Sequence, residues 1–357
     1  MLKHPVFSTL LIAAAGYWKP AHAYNNSPSI LKSPVHTLLL CRHGNSVWNG
    51  GTPGNKERFT GWTDVALSQK GKEEAHFAAK QLQNYDTSDI DACFMSSLKR
   101  AQDTANICLE ELPYAPKTYV DFRLNERHYG ALSSYVKKEV EDGKYGHKKE
   151  DVIGWRRSWD IVPPLLDEDD PRRIADLEKF SNHCGGDHKV PRGESLEIVA
   201  KTRVRPFLDE LLTPVLDQTF QSKLSDKYYI EGSTGLVVAH ANSLRALIGV
   251  ICEVENDPVA LQVLESLRLP TGVPLVLKFK QDLDGTYKVC DLPEADECLL
   301  EFNDGPGPAF EAPHDLGHPK LPVWPLNSCI PINSILHETF RAKTDESKII
   351  VHKKILV

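Results

Sequence analysis

At 357 residues and 41% hydrophobic content, the chain can bury one substantial core with an extension, or two domains. Its formal charge of −7 argues against a general nucleic-acid binder, which would present a basic surface, but leaves room for a local basic pocket that takes an acidic metabolite. None of the eight cysteines shows the paired CxxC spacing of a zinc or redox site. Cys41, Cys93, Cys108 and Cys252 sit in apolar runs and read as core residues, whereas Cys184, Cys290, Cys298 and Cys329 are free to pair.

The chain opens with Met1-Leu2-Lys3-His4, an apolar segment through Phe7, Leu10, Leu11 and Ile12, and then Ala21-His22-Ala23. A basic start, a hydrophobic stretch too short to span a bilayer and a small-x-small cleavage site predict a targeting presequence over 1–34. No Asp or Glu precedes Glu57, and 24–34 is rich in Ser, Asn, Pro and Lys. Cleavage before Tyr24 would resemble the two-part presequences of secondary plastids. Plastid or secretory routing is the expectation, and a cytoplasmic protein with an uncleaved tail is the alternative. No other run is apolar and long enough to cross a bilayer.

The run 35–41 is β-branched and leucine-rich, as a buried strand requires. Gly50 to Asn55 is a glycine-rich loop. Ser68 is a candidate N-cap for a helix through Ala75, Ala78, Ala79 and Leu82. A short strand is expected at 92–96, then a helix over 98–111 with Ala101, Ala105, Cys108 and Leu112 on one face. The middle, 114–191, is polar and reads as irregular, with Pro163-Pro164 and 167–170 marking surface loops. Helices follow at 194–212 and 243–252, around a buried strand at 236–239. Alternating strands and helices predict an α/β fold with ligands at the carboxyl ends of strands. Beyond Lys280 the texture changes to scattered prolines, with an apolar–basic alternation at 348–357 that predicts an edge strand.

Two histidines fall at predicted strand ends: His43 in Leu40-Cys41-Arg42-His43-Gly44-Asn45-Ser46 and His240 in Val238-Ala239-His240-Ala241-Asn242-Ser243. Each precedes a stretch able to open a helix. An imidazole there, beside an arginine, is placed to meet a phosphate. Phosphoryl transfer needs a nucleophile, cations that spread the charge of the transferred group, and a proton shuttle. His43 supplies the first if a carbonyl holds one ring nitrogen as N–H. Gly44 would let the backbone approach the phosphate. Arg42, Arg100, Arg127 and the pair Arg156-Arg157 fit a doubly anionic substrate. No His/Asp/Glu cluster has convincing metal-ligand spacing.

Longer motifs make the comparison specific. They are Arg42-His43-Gly44, Arg58-Phe59-Thr60-Gly61-Trp62, Leu98-Lys99-Arg100-Ala101 and Leu124-Asn125-Glu126-Arg127-His128-Tyr129-Gly130-Ala131-Leu132. Trp155-Arg156-Arg157, Gly193-Glu194-Ser195-Leu196, Asn242-Ser243-Leu244-Arg245 and Pro270-Thr271-Gly272 follow. In this order, from about 35 to 280, the chain resembles the cofactor-dependent phosphoglycerate mutases of the histidine phosphatase superfamily. The resemblance implies a three-layer α/β/α sandwich with a mostly parallel central sheet, a catalytic domain over 35–280 and an extension of unassigned role over 281–357. It implies interconversion of 3- and 2-phosphoglycerate, a step of glycolysis and gluconeogenesis, primed by 2,3-bisphosphoglycerate and needing no metal. His43 then resembles the phosphorylated nucleophile, Arg42, Arg100 and His240 its phosphate cradle, and Glu126 the general acid/base. Asn49, Thr60, Gly61, Arg127, Tyr129, Lys137, Arg156, Arg157 and Asn242 match positions that hold the substrate's phosphate and carboxylate. Partners are small phosphoglycerates rather than nucleic acid, with no membrane span in the mature protein. Family members form dimers or tetramers, so a homo-oligomer is among the states implied.

The chain departs from the family pattern at Asn45, usually glutamate, and at Ala241, usually glycine. If position 241 needs φ > 0 or touches the phosphate, its methyl costs on the order of 1 kcal/mol and slows the reaction. The family's C-terminal tail shields the phosphohistidine from water; here the region after Lys280 is longer and unlike it. A phosphatase or a bisphosphoglycerate synthase/phosphatase using the same His43 is the alternative activity, and a non-catalytic phospho-ligand binder the alternative class.

Overall fold

A computed structural model describes residues 34–50, 54, 56–84, 90–223, 232–289 and 330–331. The expectations for the presequence 1–34 (Pro34 apart), for Cys290, Cys298 and Cys329, for most of the 281–357 extension and for a strand at 348–357 lie outside these residues.

Among the described residues the main path of the sheet runs through β1 (His36–Arg42), β2 (Ile90–Ser96), β3 (Lys117–Asp121), β4 (Thr234–Ala239), β5 (Pro274–Gln281) and β6 (Tyr287–Val289). Their order is β3-β2-β4-β1-β5-β6. The first four run parallel; β5 turns antiparallel to β1, and β6 antiparallel to β5. Ile330–Pro331 adds a short parallel pairing to β5.

The continuous apolar runs of β1 and β4 exist because both faces of the sheet are covered. Alternate residues part to opposite sides. Leu38, Leu40, Phe94 and Val237 enter one core with helices from the second half of the chain. Leu39, Cys41, Cys93 and Val238 enter another with α1 (Gln69–Asn84) and α2 (Lys99–Glu111). This is the three-layer α/β/α arrangement. Cys93, Cys108 and Cys184 are buried free thiols and Cys252 a half-buried one, and Cys41 is buried in the sheet. Ser68 Oγ accepts from Gly71 N at 3.1 Å, capping α1 as expected. No helix among the described residues is long and apolar enough to cross a membrane.

The middle of the chain corrects the sequence reading. Instead of an irregular stretch, it holds β3 and three helices, α3 (Lys137–Glu141), α4 (Lys149–Arg157) and α5 (Pro171–Cys184). They escape a hydrophobic-periodicity reading because each buries so little: α4 buries only Val152, and α5 only Arg173, Phe180 and Cys184. The start of α5 does carry a local signal. Asp170 accepts from Arg172 N at 2.8 Å with Pro171 at the first helical position. The helical segment expected at 194–212 runs on, over 196–223, by alternating α and π turns. Its π stretches, Ala200–Val204 and Leu208–Leu212, fall just before Pro206 and Pro214. A proline ring collides with the carbonyl four residues back in a regular α-helix, and the wider turns relieve that clash.

Candidate active site

β1 and β4 are parallel neighbours with Arg42 opposite Ala239, so the residues that follow them meet at one edge of the sheet. His43 N donates to Ala239 O at 3.0 Å, and the His43 and His240 rings lie 4.9 Å apart, centre to centre. His240 directly precedes the helix Ala241–Ile251, as its motif suggested. His43 does not open a helix: a loop intervenes before α1.

Buried His43 contacts Gly44 O through Nδ1 at 2.7 Å. A carbonyl can only accept, so Nδ1 carries the proton and Nε2 presents its lone pair. Burial, reinforced by the charges of Arg100 and Arg42, holds the His43 pKa well below the ordinary imidazole range, against the pull of the Gly44 carbonyl. The neutral ring is a nucleophile at physiological pH. Arg100, in the first turn of α2, donates Nε to His43 Nε2 at 3.2 Å. Its remaining nitrogens are tied to Gly61 O at 2.9 Å and Thr63 O at 3.0 Å, which fixes the guanidinium plane. Its pKa is pushed down to about 10 by burial.

His240 is fully buried, with Nε2 2.8 Å from Ser96 Oγ, and is likewise held well below the usual pKa by burial, Arg100, His43 and Arg42. Ser96, at the end of β2, donates to Asn125 Oδ1 at 2.8 Å, linking His240 to the loop that carries Glu126. Ser96 was not anticipated from sequence; its signal is its position at a third strand end.

Glu126 is nearly buried. Its Oε1 accepts from Arg127 N at 2.8 Å and from Asn242 N, in the first turn of the helix that follows His240, at 3.2 Å. Trp62 Nε1 donates to Glu126 O at 2.7 Å. Asn242 donates Nδ2 to the Tyr129 hydroxyl at 3.0 Å and accepts from Arg245 Nη1 at 2.8 Å. Burial pushes the Tyr129 phenol up, but Arg127 and Lys137 outweigh it and the net direction is down. The guanidinium of Arg127 stacks over the Tyr129 ring at 5.0 Å and donates to Arg156 O at 2.8 Å.

Not every expected residue is poised toward a ligand. Lys137 is ion-paired with Glu57, and Arg156 with Glu141. Asn49 spends its side-chain oxygen on Ser46 N and Oγ at 2.9 and 2.8 Å, so it shapes the loop after His43. Thr60 and Gly61 form the turn that receives Arg100. Gly61 has φ +50°, and a Cβ there would sit 3.3 Å from Tyr129 N, so only glycine lets the two loops meet. Gly44 serves a different contact from the one its sequence position suggested. A Cβ on it would lie 2.1 Å from Gly71 O, so its smallness admits α1 rather than a phosphate. Asn45 turns its amide away as well, donating to Gly50 O at 3.1 Å and accepting from Ser68 Oγ at 2.7 Å. Ala241 is the first helical residue and is not among the positive-φ positions, so its methyl causes no backbone strain.

Two buried guanidinium N–H groups, Arg42 Nε and Arg127 Nε, lack a partner among the described residues. An unpartnered buried donor of this kind is destabilising unless a ligand satisfies it. One orphan stands beside His43 and the other beside Tyr129, so these residues fit a ligand with anionic groups at both ends, as 2,3-bisphosphoglycerate has.

Residues 38–166 match the histidine phosphatase superfamily (branch 1). A 2,3-bisphosphoglycerate-dependent phosphoglycerate mutase of Lactobacillus acidophilus is 36% identical over 253 residues, 70% of this chain and 96% of that protein. A namesake in Lactobacillus johnsonii is 36% identical over the same shares. Among solved structures, a mycobacterial glucosyl-3-phosphoglycerate phosphatase aligns over 72% of this chain and 97% of its own, at 21% identity and a TM-score of 0.49. A Bacillus anthracis phosphoglycerate mutase aligns over 73% and 93%, at 20% identity and a TM-score of 0.43. With relatives more than a third identical along nearly their whole length, the chain is an enzyme of the histidine phosphatase superfamily.

Proposed function

We propose that the protein interconverts 3-phosphoglycerate and 2-phosphoglycerate through a phosphohistidine at His43 Nε2. The observation that carries this reading is one carboxylate within electrostatic reach of two separate cation groups. Glu126 acts on Arg100, beside His43, and on Arg245, beside Asn242 and Tyr129. Hydrolysis of a simple phosphomonoester needs the first group alone. Moving a phosphoryl group between two hydroxyls of one dianionic molecule needs both, with an acid/base between them. The names of the Lactobacillus relatives support the same reading.

In this scheme the His43 lone pair attacks phosphorus while the Gly44 carbonyl holds the opposite ring nitrogen protonated. Arg42, Arg100 and His240 spread the charge on the transferred group, acting in a buried site where fixed donors are worth more than water. Glu126 gives a proton to the departing hydroxyl oxygen and takes it back from the accepting one. Arg127, Arg157, Tyr129 and Asn242 hold the far end and set which hydroxyl faces His43. When bound, 2,3-bisphosphoglycerate supplies the phosphoryl group that primes the histidine.

Turnover of 3-phosphoglycerate by protein starting near Ser33, with and without catalytic 2,3-bisphosphoglycerate, tests the reading. Bisphosphate-stimulated formation of 2-phosphoglycerate, lost in His43→Ala, is the expected result; release of free phosphate without isomerisation identifies a phosphatase instead.

The segment 1–34 is proposed, on its sequence, as a cleaved plastid or secretory presequence. Cytosolic signal from both a fluorescent fusion of residues 1–37 and a fusion of the full chain would end that proposal.

A further inference from the structure

The cations around the outer end of the pocket divide into paired and unpaired. Lys137 and Arg156 each hold a carboxylate. Arg157, Arg245 and Arg268 form no ion pair among the described residues; Arg157 feels the charge of Arg268, and Arg245 that of Arg157. Arg157 is pushed down by burial, then by Arg156 and Arg268, and Arg245 is pushed down to about 9 by burial, then by Arg157. Gathered like charges repel, and an anion placed among them relieves the repulsion.

Arg268 is the member with no anticipated role. It is half-buried, in the segment that leads from the helix Pro258–Ser266 to β5. Its two neighbours are clamped by arginines of the site itself. Arg245 Nε donates to Leu267 O at 2.7 Å, and Arg42 Nη1 donates to Leu269 O at 2.9 Å. Residue 268 is therefore held beside Arg42 and Arg245 and cannot move away without breaking two charge-assisted hydrogen bonds. The arginine that reads the reacting phosphate and the one that braces Asn242 both pin the strap that presents Arg268.

We propose that Arg268, together with Arg157, binds the anionic group of the substrate remote from His43 and is a specificity-determining residue for substrates bearing a second anion. The proposal deepens the phosphoglycerate reading above and rests on it. Lys137 and Arg156 are committed to Glu57 and Glu141, which takes two expected cations from the outer end, and Arg268 supplies a further one. A guanidinium suits the task, since its planar fork pairs bidentately with a carboxylate or a phosphoryl group.

The test uses the full chain and two probes: 3-phosphoglycerate, with two anionic groups, and inorganic phosphate, with one, which on this reading binds at His43. Calorimetric titration of Arg268→Ala is expected to show 3-phosphoglycerate weakened roughly tenfold more than inorganic phosphate, the scale of one charge-assisted hydrogen bond. The same variant should raise KM for 3-phosphoglycerate more than it lowers kcat, because the contact is present in ground and transition states alike. Arg268→Lys should recover part of the loss, and added salt should narrow the gap between wild type and Arg268→Ala. Equal weakening of both probes, or of neither, overturns the proposal. A wild-type protein that binds 3-phosphoglycerate but never isomerises it would fail the functional reading alone, since the binding comparison reads Arg268 without turnover.

Discussion

Arg203 and Glu194 form a buried, two-point ion pair at 2.8 and 2.9 Å, and the rest of the Arg203 guanidinium is spent on the loop that carries Glu126. It donates to Asn125 O at 2.8 Å and to Glu126 O at 3.3 Å, while Glu194 accepts from His128 N at 2.8 Å. The pair thus holds the loop on either side of the Glu126 carboxylate without touching the pocket. Cutting one partner of a buried pair leaves an uncompensated charge, a loss of about 3–5 kcal/mol. Glu194→Ala and Arg203→Ala should each lower the denaturant midpoint accordingly. Arg203→Lys, which keeps the charge but not the fork, should retain the fold and lose turnover. Near wild-type kcat in folded Arg203→Lys would remove the positioning role.

Glu126→Gln separates proton transfer from binding. The amide can still accept from Arg127 N and Asn242 N but cannot carry the proton. A fall in kcat of roughly 10²–10⁴-fold with a small change in KM is expected, the range for loss of a general acid/base. Steady-state kinetics with 3-phosphoglycerate decide it; an effect confined to KM would assign Glu126 to binding only.

The pH dependence of stability follows from His43 and His240. Both are held neutral, their folded pKa values far below that of an unfolded chain, about 6.5. Below that value the unfolded chain takes up protons that the native state refuses, so stability is fully present above about pH 6.5 and falls as the pH drops. Each histidine contributes at most about 1.4 kcal/mol per pH unit. Urea midpoints measured between pH 8 and 5 should decline at the acid end, and His43→Asn should reduce the slope by about one proton. A slope identical in wild type and variant would contradict a neutral buried His43.

Gly44→Ala probes the approach of the His43 loop to α1. The added methyl meets the Gly71 carbonyl at 2.1 Å, and backbone on both sides must shift. A destabilisation of about 1–3 kcal/mol is expected, as for overpacking elsewhere, together with reduced turnover from a displaced His43. By contrast Ala241→Gly, at an unstrained helical position, should cost about 0.5–1 kcal/mol and gain no rate. A rate increase in that variant would restore the requirement for glycine that the helix geometry removes.

The parts of the fold that were legible are those where local chemistry and burial coincide. The runs ending in Arg42 and Ala239 are apolar on both faces, and Ser68 caps the helix it precedes. The motif residues His43, Arg42, Arg100, His240 and Glu126 come together because each lies at or near a strand end. Less legible were α3 to α5, whose burial is sparse, and the partners chosen by long-range folding. Lys137 and Arg156 have the residue type of phosphate ligands, but Glu57 and Glu141, from distant segments, already hold them. Arg268 and Ser96 show the converse. Arg268 carries no motif signal of its own and Ser96 only its place at a strand end; the strap clamped by Arg42 and Arg245, and the meeting of β2 with β4, bring them to the site.

The most direct test of the account is to follow the phosphoryl group. Protein incubated with radiolabelled 2,3-bisphosphoglycerate should acquire acid-labile label on His43, none on His43→Ala, and should release it into phosphoglycerates when chased with unlabelled 3-phosphoglycerate. Label that never attaches to His43, or that leaves only as free phosphate whatever acceptor is present, would contradict a phosphohistidine mutase.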